Sequence, residues 1–462
     1  MMALFLFKCF YYANVVEGTP DEQAHIGYIL YEYQENKIIP VLEDRYQTGI
    51  VSEDTGVYGR YLYRLKIEEG NINYLRHPTL YYWIMAHIGG IEFIDETYAY
   101  VNILYFRYVN ILMVVCGLLI TFCMAYNRLC RVTDKVLPHW VFAAASVSVP
   151  MFAYVASGVS NDNLVYLGVV LFIAGALRYH EGHVNYTSYW LVGAGFFITM
   201  MSKLTAGLIL VIALCVIVAA DIVKNHKATI FCNRYFWSSV IFYLLVIAYY
   251  LAIYSRYGKI MPGLKDYGYE YFLVSSFYVE ESERVTMTFM EYIPYYFRNF
   301  VYTWTILYGH TFWVNKSGLA ECLGYYILAL LPVGWIIYSL KKKDKAAPLW
   351  AGLYLGLLAA VLLQFKNGWQ SFVNNGYVGG YQARYYLVLV PFMAYASGAA
   401  FAASQPSKDT RSVRKRMDAD RTERARARIK GIIIPAAELA YIALLIYGDI
   451  IYYILNAPVK IG

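Results

Sequence analysis

Nothing constrains this chain more than its apolar runs. Crossing about 30 Å of hydrocarbon takes roughly 20 helical residues. Windows of about 19 residues single out eleven spans: 1–16, 98–126, 138–157, 163–179, 188–202, 204–224, 235–255, 320–340, 347–365, 385–403 and 432–456. Only 15% of the residues are charged, against about 25% in soluble domains. The expected fold class is an all-α polytopic membrane protein with about 11 transmembrane helices, not a soluble enzyme on an anchor. Pro138, Pro332 and Pro391 fall near or inside spans, where neighbouring helices re-satisfy freed carbonyls. Fifty tyrosines fit interfacial belts, with the ring at headgroup depth. The cysteines form no spaced framework for disulfides or zinc. Residues 1–16 lack the basic start and small-residue cleavage site of a signal peptide, and are short for a full span.

Charge sets an orientation. The connections 127–137, 178–187, 224–234, 341–346 and 404–431 hold 21 Lys and Arg against 7 Asp and Glu, a net of +14. The loop 17–97 holds 6 against 14, a net of −8. Positive-inside logic puts the basic set in the cytoplasm. The N-terminus is then cytoplasmic, and 17–97 and 256–319 are large outer loops, provided 301–314 does not cross. The expected organisation is a transmembrane module over 1–403, a basic cytoplasmic linker over 404–431 at the anionic inner leaflet, and a last transmembrane helix within 432–462. No nucleic-acid-reading module accompanies the basic charge, and no internal repeat of the transporter kind is visible.

Polar residues stand out against this background. In "GTPDEQAHIGYIL" (18–30), Pro20 at a first helical position followed by Asp21 and Glu22 is a good helix start. Asp21, His25 and Glu32 then share one face, and Ile26, Ile29, Leu30 and Tyr33 form a more apolar one. The pattern predicts an amphipathic helix along the outer membrane surface; the plainer reading is an acidic helix cap in an acidic loop. "SNDN" (160–163), Lys203, Arg107, Gln382 and Arg384 lie inside or beside spans, where ionisable groups are functional candidates by default. Arg107 is expected to pair with a helix-packing carboxylate. Lys203 either snorkels at a tight outer turn or serves the site. The charge-derived topology brings Asp21, Asp162, Lys203 and Arg384 to the outer boundary. There a carboxylate can deprotonate an acceptor hydroxyl, and Lys and Arg can neutralise a departing lipid phosphate.

Five stretches, "GTPDEQAHIGYIL", "HPTLYYWIMAHI" (77–88), "SNDNLVYLGVVLFIAGALRY" (160–179), "MSKLTAG" (201–207) and "YQARYYLVLVPFMA" (381–394), resemble in that order bacterial members of the GT-C glycosyltransferase superfamily. The similarity is to the protein O-mannosyltransferase and aminoarabinose-transferase-like group, including its uncharacterised bacterial branch. The resemblance implies a helical bundle with its active site in the first outer loop of a plasma-membrane protein. It implies a polyprenyl-phosphate-linked sugar donor and an inverting transfer to an extracytoplasmic acceptor. By position, Asp21 matches the acidic residue taken as catalytic, the general base, with Glu22 beside it. Lys203, Gln382, Arg384 and Tyr385 match positions near the donor phosphate and sugar, and His25, His77, Tyr81 and Asp162 join the expected substrate-binding set. "HPT" stands at 77–79 where "PP" is usual, and Ala383 where Gly is usual. The insert 41–75 matches nothing in the group and is a candidate for acceptor specificity.

No metal or cofactor is expected. The alternative is a divalent cation on Asp21, His25, His77 and His87, since Asp and His four apart are properly spaced ligands. Two other classes compete: a transporter or lipid flippase, with inverted repeats and midplane charges, and a polysaccharide polymerase or ligase, with a large late loop rich in Arg and His. The orientation is directly testable. A membrane-impermeant maleimide should label cysteines engineered at Glu53 or Glu68 on intact cells and should not reach one at Ser407; labelling at Ser407 would invert the topology.

Overall fold

In hydrocarbon every backbone polar group must be satisfied within its own segment, and the apolar windows accordingly become helices. A computed structural model describes residues 1–15, 18–44, 48–53, 60–65, 74–304, 307–308, 311–312, 319–405 and 421–454. The chain is an all-α polytopic membrane protein. Among the described residues, its α-helices of seven or more residues are α1 (Met2–Val15), α2 (Glu22–Glu35), α3 (Leu80–His87), α4 (Ile103–Val132), α5 (Leu137–Val147), α6 (Pro150–Ala156), α7 (Asp162–His180), α8 (Tyr186–Met200), α9 (Leu204–Asn225), α10 (Arg234–Tyr257), α11 (Phe289–Tyr302), α12 (Leu319–Lys341), α13 (Ala347–Asn375), α14 (Val390–Ser404) and α15 (Arg421–Ile446). Among the described residues, eight helices are long and apolar enough to cross a membrane, or nine if the bent pair α5–α6 is one span. The other two expected spans are α1 and α8, at 14 and 15 residues; a helix of 14 residues is only about 21 Å long.

Several boundaries differ from the sequence reading. The fourth helix starts at Ile103 rather than 98, because Tyr98–Asn102 pairs as a strand and Asn102 caps the helix, accepting the Tyr105 N–H at 3.0 Å. The span 138–157 is broken into α5 and α6 with a bend of 55°; Pro150 brings no N–H to the break. Helix α13 runs to Asn375, ten residues past the expected end, and stops at Gly376, whose φ of 72° makes a left-handed cap. The 385–403 span opens with a tight 3₁₀ segment, Ala383–Leu389. Most of 305–318 and all of 406–420, the centre of the expected linker, lie outside the described residues.

The first loop holds more than helices. Strands β1 (Thr48–Glu53), β2 (Arg60–Leu65), β3 (Ile91–Phe93) and β4 (Tyr98–Asn102) form an antiparallel sheet in the order β1-β2-β4-β3. The unmatched insert thus supplies two paired strands. Helix α2 does not lie on a membrane surface with one face in water. Glu22, His25, Glu32 and the apolar Ile26–Tyr31 are all buried. It packs against α3 and the sheet, and Tyr28 stacks on Tyr82 with ring centroids 3.9 Å apart. Tight contact elsewhere uses small residues: a Cβ on Gly195 of α8 would meet the α7 backbone at 2.4 Å, the close approach that glycine permits between membrane helices.

Burial of α2 has a consequence at Glu32. Its carboxyl is fully buried and neither oxygen has a hydrogen-bond partner. Burial raises its pKa to about 8, opposed in part by Lys37. The unfolded chain releases this proton near pH 4.5, so its contribution to stability is full below that pH and is lost as pH rises toward about 8. Glu32→Gln should therefore flatten the fall in thermal stability of the detergent-purified protein between pH 5 and 8.5. An unchanged pH dependence would show that the carboxyl is ionised and solvated.

Candidate active site

Chain geometry places Asp21 before it can be placed by spacing. Asp21 is not in the first helical turn. It sits at the N-cap of α2 with φ 64° and ψ 13°, a left-handed conformation uncommon for a residue with a Cβ. Such backbone persists only where the surroundings over-determine it, and it clusters at functional sites. Here the surroundings are explicit. Glu22, the next residue, accepts from Arg107 Nη2 at 2.6 Å and Nε at 3.0 Å, and from the N–H of Val159 and Thr19 at 2.9 and 3.2 Å. Arg107 in turn donates to the Ala13 carbonyl at 2.7 Å. Both side chains are buried. Arg107 therefore has the carboxylate partner that its place in a span called for.

With Glu22 locked inward, Asp21 turns the other way, into a cavity of about 530 Å³. Its carboxylate pairs with the Arg384 guanidinium and is hydrogen-bonded by Tyr74. Arg384 also donates to the Pro20 carbonyl at 3.2 Å, gripping the turn from outside. A second ion pair faces it. Lys203, at the N-cap of α9, donates to Asp162, the first residue of α7, at 2.5 Å. It does not snorkel; it is buried. The Tyr385 ring lies between the two cations, 4.5 Å from Lys203 Nζ and 5.5 Å from Arg384 Cζ. Both distances are within cation–π reach.

The cavity collects Asp21, His25, His77, Asp162, Lys203, Gln382, Arg384 and Tyr385. Of the expected set, Glu22 and Tyr81 are not in its lining. Tyr81 donates to Asn110 at 3.0 Å, and Asn110 accepts from Asn163 at 2.9 Å, a buried polar brace behind the wall. His87 also stands apart, with Nδ1 2.7 Å from the Trp83 carbonyl of its own helix. Among the described residues no three His, Cys, Asp or Glu side chains are grouped to hold a metal ion.

Sequence reasoning missed Arg76, Tyr74 and Tyr377 in this lining. Arg76 matters most. Its Nε is buried without a hydrogen-bond partner, and its guanidinium rests 5.7 Å from the Phe277 ring centre. The other two lining cations each have a carboxylate, so among the described lining residues Arg76 carries the one uncompensated charge. The histidines do not change that sum. Burial lowers His25 to about 4, with Asp21 opposing, and pushes His77 well below its usual value. With both ion pairs counted as charged, the described lining residues sum to +1, which suits a singly charged anion. Gln382 adds a buried Oε1 that has no hydrogen-bond partner.

Comparison with known proteins gives little to set beside this geometry. No protein-family model matches the sequence, and no curated protein does. Among solved structures, the fold is similar to the crystal structure of ArnT from Cupriavidus metallidurans bound to undecaprenyl phosphate, with 10% sequence identity and a TM-score of 0.46. The match covers 86% of this chain and 59% of that one, so the chain spans less than two thirds of that protein's length. A likeness this distant assigns neither substrate nor activity.

The Glu22–Arg107 pair makes a prediction about folding. Removing one partner of a buried pair typically costs about 3–5 kcal/mol, because the other charge is left uncompensated. Arg107→Ala should lower the thermal midpoint strongly, whereas Arg76→Ala should leave it nearly unchanged. Equal, small effects on both would remove Arg107 as the anchor of the Asp21 turn.

Proposed function

We propose that this chain is a membrane glycosyltransferase that moves a sugar from a polyprenyl-phosphate donor to an extracytoplasmic acceptor. One observation carries the reading. The five stretches that resemble GT-C enzymes are dispersed over more than 360 residues of chain, yet each contributes side chains to the one 530 Å³ cavity: Asp21 and His25, His77 and Pro78, Asn161 and Asp162, Lys203 to Thr205, and Tyr381, Gln382, Arg384 and Tyr385. Helix packing alone gives no reason for these separate motifs to converge.

The chemistry follows from what each group can do. Asp21 is a carboxylate at the cavity wall, fixed from behind by Glu22 and from the front by Arg384. It accepts the proton of an acceptor hydroxyl as that oxygen attacks the anomeric carbon from the face opposite the phosphate. The carbon–oxygen bond to phosphate breaks, its electron pair stays on the phosphate, and the product is inverted at the sugar. The donor diester carries one negative charge and the leaving monoester gains another. Arg76 offsets the first. Arg384 and Lys203, whose own carboxylates lie beside them, stand close enough to share the second. Such preorganised charge is worth most where charge develops. Tyr385 and Tyr377 offer ring faces to a sugar, and Gln382 an amide. Glu22, both of whose oxygens are engaged, orients the turn rather than touching substrate. The acceptor's class is open: a cell-envelope glycan, a lipid or a protein all present suitable hydroxyls.

Loss of a general base typically lowers the rate about 10²–10⁴-fold. Asp21→Asn should therefore keep expression and donor binding but lose at least the lower of these factors in transfer from a polyprenyl-phosphate sugar by membranes containing the protein. Arg76→Ala should instead weaken donor binding, since one charge-assisted hydrogen bond is worth roughly 1.5–3 kcal/mol. If Asp21→Asn transfers sugar as fast as the wild type, Asp21 is not the base and the reading falls.

A further inference from the structure

The first and last membrane segments meet at a charge. Lys8 of α1 is fully buried, and its ammonium donates to two groups only 2.5 Å away: the carbonyl of Val147 and Oδ2 of Asp449. Asp449 is also fully buried and lies in a π-helical segment, Tyr447–Ile454, that ends the described chain. Ionisable groups at membrane depth are rare and mark functional positions, and π-helical turns often do the same. The proposed transfer uses neither residue.

Where the ammonium sits is informative. Val147 is the last residue of α5, at the 55° break before α6. In a continuous helix the Met151 N–H would bond the Val147 carbonyl. Here it bonds the Trp304 carbonyl at 3.2 Å instead. Lys8 takes the carbonyl so released, one of the orphans that every helix end creates. The break is thereby held by a cation from α1, itself held by an anion from the C-terminal segment.

The far side of the break reaches Asp21. Helix α6 packs on α1, with the Phe5 and Phe152 ring centroids 5.2 Å apart and the Tyr12 and Tyr154 centroids 5.6 Å apart. Tyr154 donates to the Gly18 carbonyl at 2.9 Å. Two residues past α6, Gly158 lies so close to Thr19 that a Cβ there would come within 2.0 Å of its hydroxyl. The next residue, Val159, donates its N–H to Glu22. Residues 18–22 thus rest on α6 and the turn that follows it.

We infer that Lys8 and Asp449 form a positioning pair for Asp21. By fixing the α5–α6 break, they set the wall against which the strained turn 18–22 is held, and they make the C-terminal membrane segment part of the active module. The inference rests on the reading of Asp21 as the base for its effect on turnover, but not for its effect on the turn itself. The pair acts through backbone placement and touches no substrate.

The test uses the full-length protein in nanodiscs. Lys8→Met with Asp449→Leu removes both charges together, so no lone buried charge is left to unfold the chain. Two readouts are taken: hydrogen–deuterium exchange of the segment 18–25, with α9 as an internal reference, and kcat and KM for the donor. The expected result is at least tenfold faster exchange in 18–25 with α9 unchanged, a fall in kcat of about tenfold, and a donor KM within about twofold of wild type. Asp449→Glu alone, which keeps the charge beside Lys8, should stay close to wild type in both. Faster exchange in 18–25 from a protein whose wild type transfers no sugar would support the clamp while counting against the enzyme reading. Unchanged exchange in 18–25, or loosening spread equally over α9, would overturn the proposal.

Discussion

The Glu22–Arg107 ion pair is the interaction on which the site depends. It joins the start of α2 to the first two turns of α4, and through Ala13 and Val159 to the end of α1 and the turn after α6. Four hydrogen bonds leave the Glu22 carboxylate no freedom to turn. Beside this locked Glu22, Asp21 takes a left-handed backbone conformation and lines the cavity. Two carboxylates that look equivalent in the sequence acquire different surroundings: one is saturated with donors inside the protein, and the other lines the cavity, paired there with Arg384.

The cavity follows a second rule, that of paired charge. Asp21 with Arg384 and Asp162 with Lys203 neutralise one another across different helices. Such pairs keep buried ions tolerable while the site is empty of substrate charge, since an uncompensated buried charge is expensive. They also leave two cations, Arg384 and Lys203, at the wall of the cavity. Among the described residues Arg76 has no carboxylate partner, and it gives the described lining its net sign. Its position just before His77 and Pro78 sets it at the opening of α3, on the side of the cavity formed by the first loop.

Much of this was legible in the sequence, and the misses have physical reasons. Apolar windows gave the helices, because in hydrocarbon an apolar run has few other options. The cavity's Asp21, Asp162, Lys203 and Arg384 were legible because ionisable groups beside membrane spans are few. Arg107 was expected to find a carboxylate, but nothing in the sequence shows that the partner is 85 residues away. The polar residues of α2 read as a water-facing side, yet Glu22 is spent on an ion pair and Glu32 is buried with no hydrogen-bond partner. Periodicity reports polarity, not what a polar group meets in space. The sheet was partly findable: in "RYLYRL" at 60–65, Tyr61, Tyr63 and Leu65 recur at period two on one face and Arg60 and Arg64 lie on the other, with Leu62 breaking strict alternation. Arg76 carried no signal of its own; only its place beside "HPT" could have drawn attention to it.

The central claim is that the cavity of Asp21 and Arg76 receives a lipid phosphate. Photo-crosslinking with a diazirine-bearing polyprenyl phosphate, placed close to its phosphate and followed by peptide mapping, tests it most directly. The account predicts labelling concentrated in 74–78, 203–205 and 377–385, competed by unlabelled polyprenyl phosphate and not by the corresponding polyprenol. Labelling spread along the lipid-facing sides of α9, α10 and α12, insensitive to that competition, would contradict it.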